Sequence, residues 1–147
     1  MPIRDIRLQA AIVRDDLLLL VQCTLPGEPP FWVLPGGARE AGESDRQAVA
    51  REVREELGVE VDVGRMLDAV LADPPDGTYA RWRTFACRLT AGEPVPCGPD
   101  GGAELTAVRW LPLRDQGSWE TAVGRDPFLV PQLERIRTAL GLVQREA

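Results

Sequence analysis

The chain has 147 residues, enough for one domain spanning 1–147 with a core that buries roughly two-thirds of the unfolded surface. Its net charge of −6 and its lack of any lysine argue against a nucleic-acid polymer as substrate, and the absence of histidine excludes every mechanism that needs a histidine base. No apolar run approaches a membrane span, no leader pattern opens the chain, and Cys23, Cys87 and Cys97 form no metal or disulfide spacing, so a cytoplasmic location is expected.

In chain order, Ile6 to Val13 and Leu17 to Cys23 are apolar runs around Arg14-Asp15-Asp16, which predicts a hairpin. A Pro/Gly loop leads to a short strand, Phe31 to Leu34, and the glycine turn Pro35-Gly36-Gly37 follows. The central helix has Ser44 as N-cap with Gln47 three residues on, Gly58 at its end, and a Val49, Val53, Leu57 stripe for the core. Val59 to Val63 and Met66 to Ala72 read as two strands broken by Gly64, and Asp73-Pro74-Pro75-Asp76-Gly77 as a turn. Thr78 to Leu89 is a long strand, with Tyr79, Arg81, Arg83, Phe85 and Cys87 on one face and Trp82 on the other. A loop over 92–102, a strand from Ala107 to Leu111 and a terminal helix from Asp126-Pro127 or Pro131 complete the chain. The helix carries an apolar stripe at Leu129, Leu133, Ile136, Leu140 and Val143. Strands in both halves with a helix between and one at the end predict an α/β fold, a mixed sheet between helices.

The chemistry concentrates on the central helix. Glu52, Glu55 and Glu56 fall within an arc of roughly 140° or less, so all three can face one point. Such a crowd of negative charge calls for a cation, and oxygen ligands without histidine select Mg²⁺ or Mn²⁺ over zinc. The Gly36 or Gly37 carbonyl is placed to complete its shell. A solvated, salt-bridged surface helix would carry similar charges, with Arg51 and Glu55 at i,i+4; the strand and glycine turn just before the helix argue for a site instead.

The run from Gly37 to Val59 resembles the signature box of Nudix hydrolases, G-x5-E-x7-R-E-U-x-E-E-x-G-U with U a bulky aliphatic residue. Gly37, Glu43, Arg51, Glu52, Val53, Glu55, Glu56, Gly58 and Val59 match every specified position. The resemblance implies a single-domain α/β/α Nudix fold and metal-dependent cleavage of a phosphoanhydride. It implies that Arg51 steadies the carboxylates, Glu43 among them, although Glu43 could instead complement the helix dipole. It further implies a base outside the box. Glu104, ahead of Trp110, is the candidate and Glu93 the reserve, with Glu52 itself an alternative.

Pro74, fifteen residues past Val59, matches the proline of family members that split ADP-ribose. The expected substrate is therefore a nucleoside diphosphate linked to another group, ADP-ribose or a related ADP-sugar first. The alternatives are (d)NTP pyrophosphohydrolysis and a nucleotide-sensing module that does not cleave. Trp32, Arg81, Trp82 and Pro74 are the candidate substrate contacts. Homodimers are common among ADP-sugar members, so a homodimer is compatible with the resemblance.

Overall fold

The computed structural model describes residues 4–76, 79–100 and 102–143, without the side chains of 4 and 72–76. Seven strands form one mixed sheet: β1 (Arg4–Arg14), β2 (Leu17–Thr24), β3 (Phe31–Val33), β4 (Gly36–Ala38), β5 (Glu60–Asp76), β6 (Tyr79–Ala91) and β7 (Glu104–Pro112). The helices are α1 (Asp45–Leu57), α2 (Trp119–Val123) and α3 (Leu129–Ala139), with a 3₁₀ turn at Gln116–Ser118. The main strand path runs β3-β2-β1-β6-β5, with β4 paired to β1 and β7 to β2. β1 and β6 are parallel, and the other pairs are antiparallel.

Period-two alternation gives the sheet two apolar faces. Ile6, Leu8, Ala10 and Ile12 of β1 and Leu19, Val21 and Cys23 of β2 meet Val49, Val53 and Leu57 of α1. Ala11, Leu18 and Leu20 face the other way, onto Trp119 of α2 and Leu129, Leu133 and Ile136 of α3. Strands buried on both sides read as continuous apolar runs, as β2 does from Leu17 to Val21. The result is the α/β/α sandwich the sequence predicts. A buried polar link ties α3 to the sheet, where Gln9 Oε1 accepts from Gln132 Nε2 at 2.5 Å and from Thr84 Oγ1 at 3.2 Å.

The hairpin forms at Asp15, whose φ of 59° lies in the left-handed region that Asp tolerates. α1 starts and stops as predicted. Ser44 and Gln47 make the reciprocal capping box, and Gly58 closes the helix at φ 68°.

Several expectations change. The glycine segment is a short strand, β4, because Gly36 and Gly37 pair with Gln9 and Leu8. The two strands expected around Gly64 are one strand, β5, whose register against β6 shifts between Val63 and Met66. The turn expected at Asp73–Asp76 is the end of that strand, and Gly77 lies outside the described residues. β5 is an edge strand in the main path, where a proline's missing N–H costs no ladder bond. Tyr79 departs from strict alternation, since its ring meets the Trp82 ring edge-on at 5.7 Å. α2 was not predicted. α3 begins at Leu129, its first amide bonded to Asp126 Oδ1, and Val143 lies 72% exposed beyond the helix instead of extending its stripe.

Candidate active site

β4 delivers the glycines against the side of α1 that carries the carboxylates. A Cβ on Gly36 would stand 2.1 Å from the Leu8 carbonyl oxygen, so only glycine lets β4 lie this close to β1. A Cβ on Gly37 would stand 2.6 Å from the Glu52 carboxyl carbon, so glycine also makes the room that Glu52 occupies.

Arg51 organises the surrounding acids. Its Nε donates to Glu43 Oε2 at 2.7 Å and one terminal nitrogen to Glu43 Oε1 at 2.9 Å, a two-pronged grip on one carboxylate. The other terminal nitrogen donates to Glu52 Oε1 at 3.0 Å and Glu55 Oε2 at 3.2 Å. A further bond reaches the Ala38 carbonyl at 3.0 Å, tying the end of β4 to the helix. Hydrogen bonding from Arg51 holds the Glu43 carboxyl below its ordinary range. Burial raises Glu52, against the pull of Arg51.

Glu56 is the unusual member. It is fully buried, and no backbone or basic group hydrogen-bonds its carboxyl oxygens; the group within hydrogen-bonding reach is the Glu52 carboxyl. Burial pushes its pKa up to about 10, with the charges of Asp100 and Glu52 adding to the shift and the Arg7 guanidinium opposing it. A buried acid set against a second carboxyl marks a place where the protein alone does not neutralise the group. Carboxylate oxygens from Glu56 and the neighbouring Glu52, in a chain without histidine, form a donor set suited to a hard divalent cation. When bound, that cation supplies neutralisation of phosphate oxygens during hydrolysis. Among the described residues no three acidic or sulfur side chains already converge as a ligand cluster, and Glu55, largely exposed, is drawn to Arg51.

Two residues that the sequence reading passed over stand beside this pair. Arg7 of β1 is buried and grips Asp100 with both terminal nitrogens, at 3.0 and 2.7 Å. Burial disfavours the Arg7 charge, and the Asp100 partner more than restores it. The one signal in the sequence is a charged residue inside an otherwise apolar strand, Ile6 to Val13. Asp100 belongs to the loop 92–103, which is fastened to the end of α1. Val95 and Cys97 amides donate to the Leu57 and Glu56 carbonyls at 3.2 and 2.8 Å, satisfying acceptors that a helix end leaves free.

The remaining candidates are dispersed. Glu104 is exposed at the start of β7, at the edge of a cleft of about 470 Å³ lined by the loop 96–99, and among the described residues its backbone carbonyl accepts from Thr24 Oγ1. The stretch before it is bonded to α1 through Val95 and Cys97 and to Arg7 through Asp100. Glu93 pairs with Arg14 at 3.2 Å. Arg81 is exposed and pairs with Asp5 at 2.5 Å. Trp32 is half-buried, with the Arg109 guanidinium 4.7 Å over its ring. Trp82 packs on Phe128 at 4.9 Å, and its indole N–H is buried without a partner. The Pro74 backbone lies in β5, and its side chain is outside the described residues.

A mixed sheet between helices, with a glycine strand pressed on an acidic helix held by one arginine, is the arrangement that the resemblance of the Gly37–Val59 run implies. The NUDIX domain family matches residues 7–130, and the chain belongs to that family. It is 37% identical over 122 residues to "Putative 8-oxo-dGTP diphosphatase 2" of Mycobacterium tuberculosis, covering 78% of this chain and 85% of that protein. A NUDIX hydrolase from Nitrosomonas europaea superposes with a TM-score of 0.71 at 25% identity, over 96% of this chain and 93% of that one. An ADP-ribose pyrophosphatase from Streptococcus suis gives 0.65 at 25% identity, over 92% and 89%. The protein is therefore a Nudix hydrolase, of a family that works with a divalent metal on small nucleotide substrates. Among the described residues no helix is long and apolar enough to cross a membrane.

Proposed function

We propose that this enzyme hydrolyses nucleoside triphosphates to a monophosphate and pyrophosphate, using Mg²⁺ with Mn²⁺ as a working substitute. The observation that carries hydrolysis is Glu56, fully buried against the Glu52 carboxyl with no backbone or basic group bonded to its oxygens. The substrate order rests on the relative that matches most of both chains and is named for 8-oxo-dGTP. In this reading Glu52 and Glu56 hold the cation, the Gly36 or Gly37 carbonyl adds a ligand, and Arg51 fixes Glu52 and Glu55. Glu52, beside Glu56 and held by Arg51, is assigned to take the proton of the attacking water, and Glu104 contributes from the end of the loop.

ADP-ribose and related ADP-sugars form the second reading, supported by Pro74 and by the Streptococcus suis neighbour's name. A sensor that binds without cleaving would not need every carboxylate of the box, and all are present. The reading carries with it a cytoplasmic location and is compatible with a homodimer.

The test incubates the protein with 8-oxo-dGTP, unmodified (d)NTPs, ADP-ribose and other nucleoside diphosphate sugars, each with Mg²⁺, Mn²⁺ or chelator. Monophosphate plus pyrophosphate from a triphosphate is the expected result. AMP from ADP-ribose with no triphosphate turnover would replace it by the second reading, and binding without any product would replace both.

A further inference from the structure

The charged groups of the site do not all come from the signature segment. Arg7 and Asp100 lie 93 positions apart and form a bidentate pair with side chains only 7% and 10% exposed. The terminal nitrogen of Arg7 that makes the shorter of these bonds also donates to the Leu34 carbonyl at 3.0 Å. Leu34 stands two residues before Gly36, so this bond holds the entry to the glycine strand. Asp100 stands at the far end of the loop whose other end is bonded to the Glu56 and Leu57 carbonyls. At that end Gly98 lies so close to α1 that a Cβ there would be 2.4 Å from the Glu55 carbonyl oxygen. One guanidinium thus joins β1, the approach to β4 and the loop over α1, three segments that pack on or beside α1. The Trp82 ring, 5.7 Å from the guanidinium carbon, backs it.

We infer that Arg7 is a positioning residue of this active site, acting through Asp100 and the Leu34 carbonyl to set the spacing between the glycine strand and the carboxylates of α1. The inference rests on the reading of Glu52 and Glu56 as the cation site. A fork of five donors on a planar group performs this three-way joint; an ammonium on a flexible stem does not. Groups that orient metal ligands from behind affect metal affinity and rate without touching the substrate.

Removing one partner alone would leave a buried charge unpaired, so the first variant is the compensated double Arg7→Met/Asp100→Leu, which leaves neither. Mn²⁺ affinity is read from the free-ion electron paramagnetic resonance signal, and kcat and KM from triphosphate hydrolysis. The expected result is a folded protein whose kcat and Mn²⁺ affinity fall by about 10- to 100-fold, with KM changed by less than about threefold. A folded double variant with wild-type kcat and Mn²⁺ affinity overturns the inference. Should the double variant not fold, Asp100→Asn is judged by the same two readouts. Failure of both to fold also overturns it, leaving the pair a role in stability alone. Wild-type protein that turns over equally well in chelator would instead sink the cation-site reading, so the two failures are distinguishable.

Discussion

Gly37 and Glu52 are packed so closely that a single methyl group on the glycine would stand 2.6 Å from the carboxyl carbon. That contact gives Gly37→Ala a specific outcome. The carboxylate must move, while the added methyl adds little strain elsewhere. Displacing a reacting group by about 1 Å costs on the order of 100-fold in rate. The variant should melt within a few degrees of wild type and lose about that factor in kcat, measured by steady-state hydrolysis beside a thermal melt.

Arg51→Lys tests the organising arginine. A lysine keeps the charge but cannot grip Glu43 twice while reaching Glu52, Glu55 and the Ala38 carbonyl. Hydrolysis should fall about 10- to 100-fold, with weaker Mn²⁺ binding in the same protein. An unchanged metal affinity would detach Arg51 from the cation site.

The raised Glu56 makes metal-free stability depend on pH. Its folded pKa is about 10 against 4.5 for an ordinary glutamate, so the native state keeps a proton that the unfolded chain releases. The stabilising contribution is fully present below the unfolded value and is lost as pH rises towards the folded one. In chelator, the midpoint of urea unfolding should therefore fall between about pH 5 and pH 9. Glu56→Gln should flatten that slope. Added Mg²⁺ should stabilise wild type more at the alkaline end, since binding then displaces fewer protons.

Glu104→Gln separates the loop glutamate from the box. Glu104 is exposed at the start of β7, so its loss should lower kcat by less than about tenfold and leave Mn²⁺ affinity unchanged. A general base typically contributes more, about 100-fold or above, and a loss of that size would return the role to Glu104.

The legible parts of this protein were those fixed locally. Ser44, Gln47 and Gly58 announce both ends of α1 because caps act within a few residues, and the Arg51 grip on Glu43 is what the resemblance of the signature box implies. β5 was misread because Gly64 and Pro74-Pro75 are breakers in isolation, whereas the outer edge of a sheet tolerates them. Arg7 and Asp100 went unseen for a different reason. Nothing near Arg7 in sequence says that its partner arrives 93 residues later, and the topology of β1 and the loop after β6 is what brings them together. The burial of Glu56 was likewise invisible, since the arc of three acids does not say which one the sheet covers.

The most direct test of the account is triphosphate hydrolysis by wild type and Glu56→Gln, titrated with Mg²⁺ from chelator to saturation. The prediction is no wild-type turnover in chelator, saturable activation by Mg²⁺, and a loss of at least about 100-fold in the folded variant. Chelator-resistant turnover, or a Glu56→Gln rate within about tenfold of wild type, would contradict the assignment of Glu52 and Glu56 as the cation site.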